Sequence, residues 1–189
     1  MNIEMILSVC LGVGLAASAG FRLFVPLFAL SLAAYFGLIP LNDTWLWLGS
    51  LSAVVILGVA SVVESVSYLV PVVDNLLDTI AVPLAGVAGT LVMASTLADF
   101  SPATTWALAI VAGGGAATAI KTTSAATRAV STVGTAGTIN PAIGMVETGA
   151  AIGLSAVSIV FPIIGMVIAV LGIVLLIWLF VRLKRQFAK

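Results

Sequence analysis

The apolar run over residues 3–38 constrains this chain more than any other feature of its sequence. A single membrane helix needs about 20 apolar residues, so the run is too long for one span. It is interrupted near Arg22 and again at Pro26, and membrane segments tolerate such breaks only where neighbouring groups satisfy the freed backbone. We therefore expect two helical pieces, over about 3–18 and 21–38, that meet at a buried break near Arg22.

The overall composition fixes the fold class. Charged residues make up 7% of the chain, whereas a soluble domain carries about 25%, and the mean hydropathy is +1.31. Such a chain could not cover a water-facing surface. We predict an all-α, polytopic integral membrane protein with about six to eight membrane segments, two of them broken or re-entrant, in a single transmembrane domain over 1–189. The further helices are expected over about 45–70, 74–97, 104–120, 141–160 and 163–181.

A polar segment over 113–141 lies inside this apolar chain and contains no Leu, Phe, Met or Trp. If it is helical, Thr118, Lys121, Ser124 and Arg128 share one face. Each cation would cost roughly 2.5–3.5 kcal/mol at the bilayer centre. The segment should therefore be enclosed by other helices, with its charged face toward acids or a watery cavity. We place the second chain break between Lys121 and Arg128.

Four acids on the predicted helices are the available partners for these cations, namely Glu64, Asp74, Asp78 and Glu147. In one interpretation the charges pair and lock the helices together, and breaking such a pair costs about 3–5 kcal/mol. In the other they line a pathway, because intramembrane ionisable groups mark ion, proton or substrate routes. Asp74 reads best as a helix cap at a turn. Glu64 shares a polar helix face with Ser61, Ser65 and Tyr68.

The pathway interpretation defines a candidate site. Its substrate-binding residues are Arg22, Lys121, Ser124, Arg128 and Asn140, and its proton-coupling or ion-pairing acids are Glu64, Asp78 and Glu147. Arg128 stays charged, and the parallel N–H donors of its planar guanidinium group match a carboxylate or a phosphate. We expect a carboxylate within about 4 Å of it, from Glu64, Glu147 or Asp78, because an unpaired cation at that depth is too costly.

Several function classes find no support in the sequence. The chain has no histidine and one cysteine, Cys10, which excludes a disulfide framework and most zinc or haem sites. The glycines at 113–115 do not precede a Gly-Lys-Ser/Thr motif, so they form no P-loop. No Ser/His/Asp or Cys/His set is present, and the net charge is zero. We therefore expect no enzyme activity, no metal or cofactor, and no nucleic-acid partner.

The sequence Ser-Ala-x-x-Arg occurs twice, at 18–22 and at 124–128. One interpretation is an inverted repeat of the halves 1–100 and 101–189, a common architecture in small transporters. The other is chance similarity in a chain rich in alanine and serine. A true repeat should bring the two arginines close together, related by a pseudo-two-fold axis in the membrane plane.

Two further features predict partners and orientation. Ala81, Ala85 and Gly89 form a small-residue face of the kind through which membrane helices approach closely, so we expect a homo-oligomer or a membrane partner. The only basic cluster that flanks a span follows the last one and consists of Arg182, Lys184, Arg185 and Lys189. By the positive-inside rule the C-terminus then faces the cytoplasm.

Three stretches carry a resemblance to a known family: AGFRLFVPLFAL, VVESVSYLVPVVDNLLDT and INPAIGMVET. They are similar to a family of small bacterial inner-membrane proteins known only as a domain of unknown function. The resemblance implies a helical integral membrane fold in the inner membrane, and no activity. It rests on Arg22, Pro26, Glu64, Pro71, Asp74, Asp78, Arg128, Asn140, Pro141 and Glu147.

A looser likeness, of architecture only, links the chain to DedA-type membrane proteins. Those proteins place arginines at membrane-embedded re-entrant segments and are tied to lipid-carrier transport. This chain lacks the acidic and Gly-Arg motifs of that group, so the likeness implies no substrate class here.

The leading functional hypothesis is a secondary transporter or flippase. It would bind an anionic solute or lipid head group at the bilayer midplane, between the two broken segments, with Glu64 or Glu147 carrying a coupling proton. The second hypothesis is a non-transporting scaffold or assembly subunit of a larger membrane complex. An intramembrane enzyme that acts on lipids and a channel are the remaining alternatives.

Overall fold

The computed structural model describes residues 2–69 and 71–187 of the chain, with the side chains of 71–76, 78, 79, 177 and 179–187 excepted. It is 86% helical, and its described part contains eight α-helices and no strand. The loops between helices are short, as predicted. The predicted all-helical architecture is thus confirmed.

The helices follow one another closely along the chain. The α-helices are α1 (Ile3–Phe21), α2 (Phe24–Tyr35), α3 (Leu51–Ser67), α4 (Pro71–Thr96), α5 (Pro102–Leu108), α6 (Gly115–Thr135), α7 (Asn140–Val160) and α8 (Pro162–Phe187). A 3-10 helix over Asp43–Gly49 precedes α3, and a π-helical turn over Ala109–Gly114 joins α5 to α6.

Helix α1 is the centre of the bundle. It packs against α4, α6, α7 and α8, and Leu15, Ala16 and Ala17 have no exposed surface. Its glycines and alanines let these neighbours approach closely. The outer surface is apolar instead: Ile56 and Val62 on α3 and Val146 on α7 are all more than half exposed.

Among the residues that the structure describes, three helical stretches are long and apolar enough to cross a membrane: Ile3–Phe21, Pro102–Thr135 and Asn140–Val160. A fourth results if the 3-10 helix and α3, which meet at an angle of 69°, form one broken span. Shorter apolar helices occupy Phe24–Tyr35, Ile80–Thr96 and Pro162–Leu176. Buried polar groups inside an apolar exterior are the arrangement that a membrane protein requires.

The predicted break near Arg22 is confirmed. Helix α1 ends at Phe21 and α2 begins at Phe24, so the break lies three residues beyond the predicted end of the first piece at 18. Pro26 falls in the first turn of α2, where a missing N–H leaves no hydrogen bond unmade.

The break expected between Lys121 and Arg128 is wrong in position, because α6 runs without interruption from Gly115 to Thr135. Polarity alone does not end a helix, and this segment is rich in alanine and contains no proline. The irregularities lie at its two ends. A π-helical turn precedes α6, and Ala136 follows it with a left-handed φ of 52°.

The helix expected over 45–70 is also interrupted, at Ser50. This residue is extended, with φ −84° and ψ 151°, and its hydroxyl accepts from the Ala53 N–H to cap α3. A serine N-cap is a common helix start, and here it separates α3 from the 3-10 helix before it.

The small-residue face of α4 packs inside the protein. Ala85 has no exposed surface and clusters with Ala19 of α1 and Ala117 of α6. A Cβ placed on Gly89 would lie 2.6 Å from the carbonyl oxygen of Gly113, and one on Gly113 would lie 2.6 Å from that of Gly89. These two glycines therefore set the approach of α4 to the π-helical turn. The expected homo-oligomer or membrane partner stays a prediction.

We predict that Gly89→Ala and Gly113→Ala each lower the free energy of unfolding by about 1–3 kcal/mol, the usual cost of overpacking. The added methyl group would meet backbone, which cannot move aside. The measurement is the midpoint of unfolding of the purified protein in mixed micelles with sodium dodecyl sulfate. Gly153→Ala is the matched control, because a Cβ there meets nothing within 4 Å. Equal effects at all three positions would contradict this packing.

Candidate functional site

Arg22 occupies the break between α1 and α2 and is fully buried. Its backbone is extended, with φ −139° and ψ 126°, and its N–H donates to the Ser18 carbonyl oxygen. The side chain reaches α7, where Nε donates to Thr148 Oγ1 at 2.9 Å and Nη2 to the Gly144 carbonyl at 2.7 Å. Nη1 donates to Glu147 Oε2 at 3.3 Å. All three guanidinium nitrogens therefore bind a single helix.

Glu147 bridges two arginines, one in the break after α1 and one on α6. Its Oε2 accepts from Nη1 of Arg22 and from Nη2 of Arg128. Its Oε1 accepts from Nε of Arg128 at 3.4 Å and from the hydroxyl of Ser124. The predicted carboxylate partner of Arg128 is thus confirmed as Glu147. Because all these groups are buried, the bridge makes α1, α6 and α7 depend on one carboxylate.

The ring of Tyr68 lies at the centre of the buried cations. Cζ of Arg22 is 3.9 Å from the ring centroid, Cζ of Arg128 is 4.6 Å away and Nζ of Lys121 is 4.7 Å away. These distances fall within the range of cation–π attraction, which is strongest where the groups are desolvated. Lys121 Nζ also donates to the Tyr68 hydroxyl at 3.0 Å. We call Arg22, Lys121, Arg128, Tyr68 and Glu147 the cation cluster.

Glu64 caps the second helix of the broken segment from a neighbouring helix. Its Oε1 accepts from the Leu23 N–H at 2.8 Å and its Oε2 from the Phe24 N–H at 2.9 Å. These donors have no partner within their own helix, because the first turn of any helix leaves its N–H groups free. A carboxylate is favoured at this positive end of the helix. Glu64 thus satisfies the backbone that the break exposes.

Both Ser-Ala-x-x-Arg motifs bind the same helix. The Ser18 hydroxyl donates to the Ala151 carbonyl at 2.8 Å and lies 2.8 Å from the Ser155 hydroxyl, and the Ser124 hydroxyl binds Glu147. The motifs therefore share α7. The two arginines lie close together, as a repeat requires, but the first motif ends at a break and the second lies within a continuous helix. The inverted repeat stays a prediction.

A family described as a domain of unknown function (DUF4126) matches the chain over residues 9–182. The match spans nearly the whole chain. The chain belongs to the DUF4126 family. Comparisons with curated proteins and with solved structures found no match. The resemblance drawn from the sequence is thus confirmed, and the DedA-type likeness stays a prediction.

In this DUF4126 chain, the predicted site residues fall into three groups. Four of them, Arg22, Lys121, Arg128 and Glu147, belong to the cation cluster, and Ser124 binds it through Glu147. Glu64 lies at the α2 cap. Asn140 lies apart, at the start of α7, where its Nδ2 donates to Thr132 Oγ1 at 3.0 Å; its buried Oδ1 has no hydrogen-bond partner among the residues described. The side chains of Asp74 and Asp78 lie outside the described part.

Sequence reasoning missed two members of the site. Tyr68 belongs to the predicted polar face of its helix but not to the predicted site, although it is four residues from Glu64 and three before Pro71. A polar aromatic residue at a helix end reads first as an interfacial anchor. Thr148, which binds Arg22, carries no signal beyond its place beside Glu147. Within the part of the chain described, no three His, Cys, Asp or Glu side chains are grouped to hold a metal ion.

We predict that Glu64→Gln in this DUF4126 chain lowers the free energy of unfolding by about 1–3 kcal/mol, the cost of leaving one buried donor unsatisfied. The amide oxygen replaces one carboxylate oxygen, but the amide NH₂ then faces a backbone N–H. Unfolding in mixed micelles measures the loss. Glu4→Gln, in the exposed first turn of α1, is the control and should change stability little. A loss no larger than that of Glu4→Gln would refute the capping role.

Proposed function

We propose that this protein is a small secondary transporter or flippase that binds an anionic group at the cation cluster. The observation that carries the proposal is the convergence of Arg22, Lys121 and Arg128 on one buried ring. Intramembrane cations are costly and are retained mainly at ion, proton or substrate routes. Arginine forks bind carboxylate and phosphate with two parallel hydrogen bonds, which suits an anionic ligand.

In this proposal Glu147 is the group that the anion displaces. Its carboxylate binds both arginines in the structure and so occupies the place of an anionic ligand. An arriving anion that displaced it would add one more negative charge to a low-dielectric interior. If Glu147 takes up a proton as the anion binds, the buried charge stays constant and the cost is avoided. Binding of the anion is therefore coupled to uptake of a proton.

The broken segment supplies the moving part. Discontinuous helices in transporters place helix ends at the substrate, and rigid-body rocking then exposes the site to each side in turn. Here the break lies at Arg22 itself, and α2 is held by Glu64 through two backbone hydrogen bonds. Movement of α2 about the break would change the surroundings of Arg22 without unfolding either helix.

A scaffold or assembly subunit is the second candidate, and a different observation favours it. Every guanidinium nitrogen of Arg22 has a protein acceptor, as expected of a fixed lock between helices. In that account the cluster would hold α1 and α7 in place for a partner protein and would bind no ligand.

Calorimetry with butyl sulfate, an anion that does not titrate near neutral pH, separates the two candidates. Titration of the purified protein in two buffers of different ionisation enthalpy gives the protons taken up on binding. We predict about one proton per bound anion for the wild type and for Glu4→Gln, by proton linkage. Glu147→Gln should bind with almost no proton uptake. Absence of binding to the folded wild type would favour the scaffold, and unchanged uptake in Glu147→Gln would refute the coupling.

We also infer that the chain lies in the inner membrane with its C-terminus in the cytoplasm. The apolar spans support the membrane location, and the basic cluster Arg182, Lys184, Arg185 and Lys189 supports the orientation by the positive-inside rule. A reporter fused after Lys189 should be active on the cytoplasmic side, and activity confined to the other side would refute the orientation.

A further inference from the structure

We propose that α1 and α2 form a re-entrant hairpin, which enters the membrane from one side, stops inside it at Arg22 and returns to the same side. The start of α1 and the end of α2 then lie on one side of the membrane, and the end of α8 lies on the other. The inference goes beyond the proposed function and is independent of it, because it concerns the path of the chain and not the binding of an anion.

Helix α2 runs antiparallel to α3. The backbone at the start of α2 donates to Glu64, near the end of α3. Midway along, Phe28 lies against Gly58, where an added Cβ would be 3.1 Å from the ring. In the last turn, Ala34 lies against Gly49, just before α3 begins. Helix α2 therefore returns to the end of the bundle from which α3 starts.

Helix α1 runs antiparallel to α4. Gly12 lies against Thr96, the last residue of α4, where an added Cβ would be 2.7 Å from the threonine hydroxyl oxygen. Ala19, near the end of α1, clusters instead with Ala85 in the middle of α4. The start of α1 thus lies at the end of α4, and its last turn lies halfway along that helix.

The outer ends of the two hairpin helices lie together at one end of the bundle. Asn42, in the loop after α2, binds the end of α4, because its N–H donates to the Ser95 carbonyl and its Nδ2 to the Leu97 carbonyl, both at 3.0 Å. Helices α1, α2 and α4 and this loop region also share one apolar cluster, which we call the hairpin core. Its buried members are Leu11, Leu15, Leu30, Leu41, Leu48 and Val92.

The tip of the hairpin lies far from the other end of the bundle. Helix α6 follows Gly113, which lies against Met93 near the end of α4, and passes the last turn of α1 where Ile120 meets Gly20. From Ile120 it continues to Thr135, about 22 Å further at 1.5 Å per residue. Helix α1 is long enough to cross a membrane. The 12 residues of α2 extend only about 18 Å and cannot cross a hydrocarbon core of about 30 Å.

The backbone at the tip is satisfied as a chain break inside a membrane requires. The Arg22 N–H donates to the Ser18 carbonyl, and the N–H groups of Leu23 and Phe24 donate to the buried carboxylate of Glu64. Water would satisfy these groups at a membrane surface, whereas lipid cannot. A buried carboxylate supplied by another helix therefore fits a tip that lies at membrane depth.

Helix α8 runs parallel to α1 and past its end. A Cβ added to Gly14 would lie 3.3 Å from the carbonyl carbon of Gly165, near the start of α8. Further along, Ala169 clusters with Ala17. Helix α8 then continues to Phe187, beyond the level at which α1 ends. The start of α1 and the end of α8 therefore face opposite sides.

The end of the bundle from which the hairpin enters has the side chains of a membrane surface. Trp47 and Trp106 are 58% and 47% exposed there, as in the aromatic belt at the edge of a bilayer. Trp45 packs beside them on the cluster at the end of α4. Asp43 and Asp99 are exposed in the loops at this end. The polar loops and tryptophans thus mark the side from which α1 and α2 enter.

The hairpin also shields the cation cluster from its own side of the membrane. The hairpin core lies between that side and the tip, and Leu15, Leu30 and Val92 in it have no exposed surface. A charged solute that came from that side would have to lose its water to pass this packed apolar layer. The hairpin thus carries Arg22 to the cluster while its core blocks the way behind it.

Labelling of single cysteines with a membrane-impermeant maleimide tests the path of the chain. Cys10→Ser removes the only cysteine and provides the background. In it, Glu4→Cys, Asp43→Cys and Asp99→Cys, all at exposed positions, are expected to react from the same side of the membrane. Thr138→Cys, in the exposed loop between α6 and α7, is expected to react only from the other side. Intact cells and inverted membrane vesicles present the two sides to the reagent.

The alternatives to a re-entrant hairpin give different labelling. If α1 and α2 were one broken span, Glu4→Cys and Asp43→Cys would react from opposite sides, and that result would overturn the inference. If both helices crossed the membrane, Leu23→Cys at the tip would react from the side of Thr138→Cys and as fast, which would also overturn it. We expect Leu23→Cys to react from neither side. Phe21→Cys, half-buried at the other flank of the tip, replaces it if that variant does not reach the membrane.

Discussion

The bridge that Glu147 forms between Arg22 and Arg128 is the interaction on which the rest of this structure depends. Two guanidinium groups with little exposed surface lie within an apolar exterior, and the protein must compensate their desolvation. Glu147 binds both of them, and Tyr68 presents its negative ring face to both. Helices α1, α6 and α7 therefore meet where they do because their charges require it.

The chain break and the buried charges explain each other. A helix interrupted in lipid exposes N–H groups that water cannot satisfy. At the start of α2 these N–H groups donate to the carboxylate of Glu64. Arg22, which lies in the break, donates to the Gly144 carbonyl oxygen and so fixes the break to α7. A polar interior is thus a requirement of the broken helix, and the same interior provides a place where an anion could bind.

Part of this arrangement can be predicted from the sequence, because it follows from span length and from the free-energy cost of burying an unpaired charge. The run over 3–38 is too long for one span, so a break near Arg22 had to exist. Burying Arg128 without a partner would cost too much free energy, so an acid had to lie near it. The polarity of the segment from Lys121 to Arg128 does not interrupt its helix, because charge placement and helix continuity are independent. Tyr68 was missed as a site residue, since only the three-dimensional fold brings the three cations around its ring.

A double-mutant cycle between Arg22→Gln and Glu147→Gln tests the bridge most directly. The free energies of unfolding of the wild type, both single variants and the double variant are measured in mixed micelles. Residues in one buried network couple by roughly 0.5–3 kcal/mol, and we predict at least about 1 kcal/mol here. The cycle of Arg22→Gln with Glu4→Gln should be additive. Additivity within about 0.5 kcal/mol for Arg22 and Glu147 would show that the two groups are not one unit, and would contradict the account.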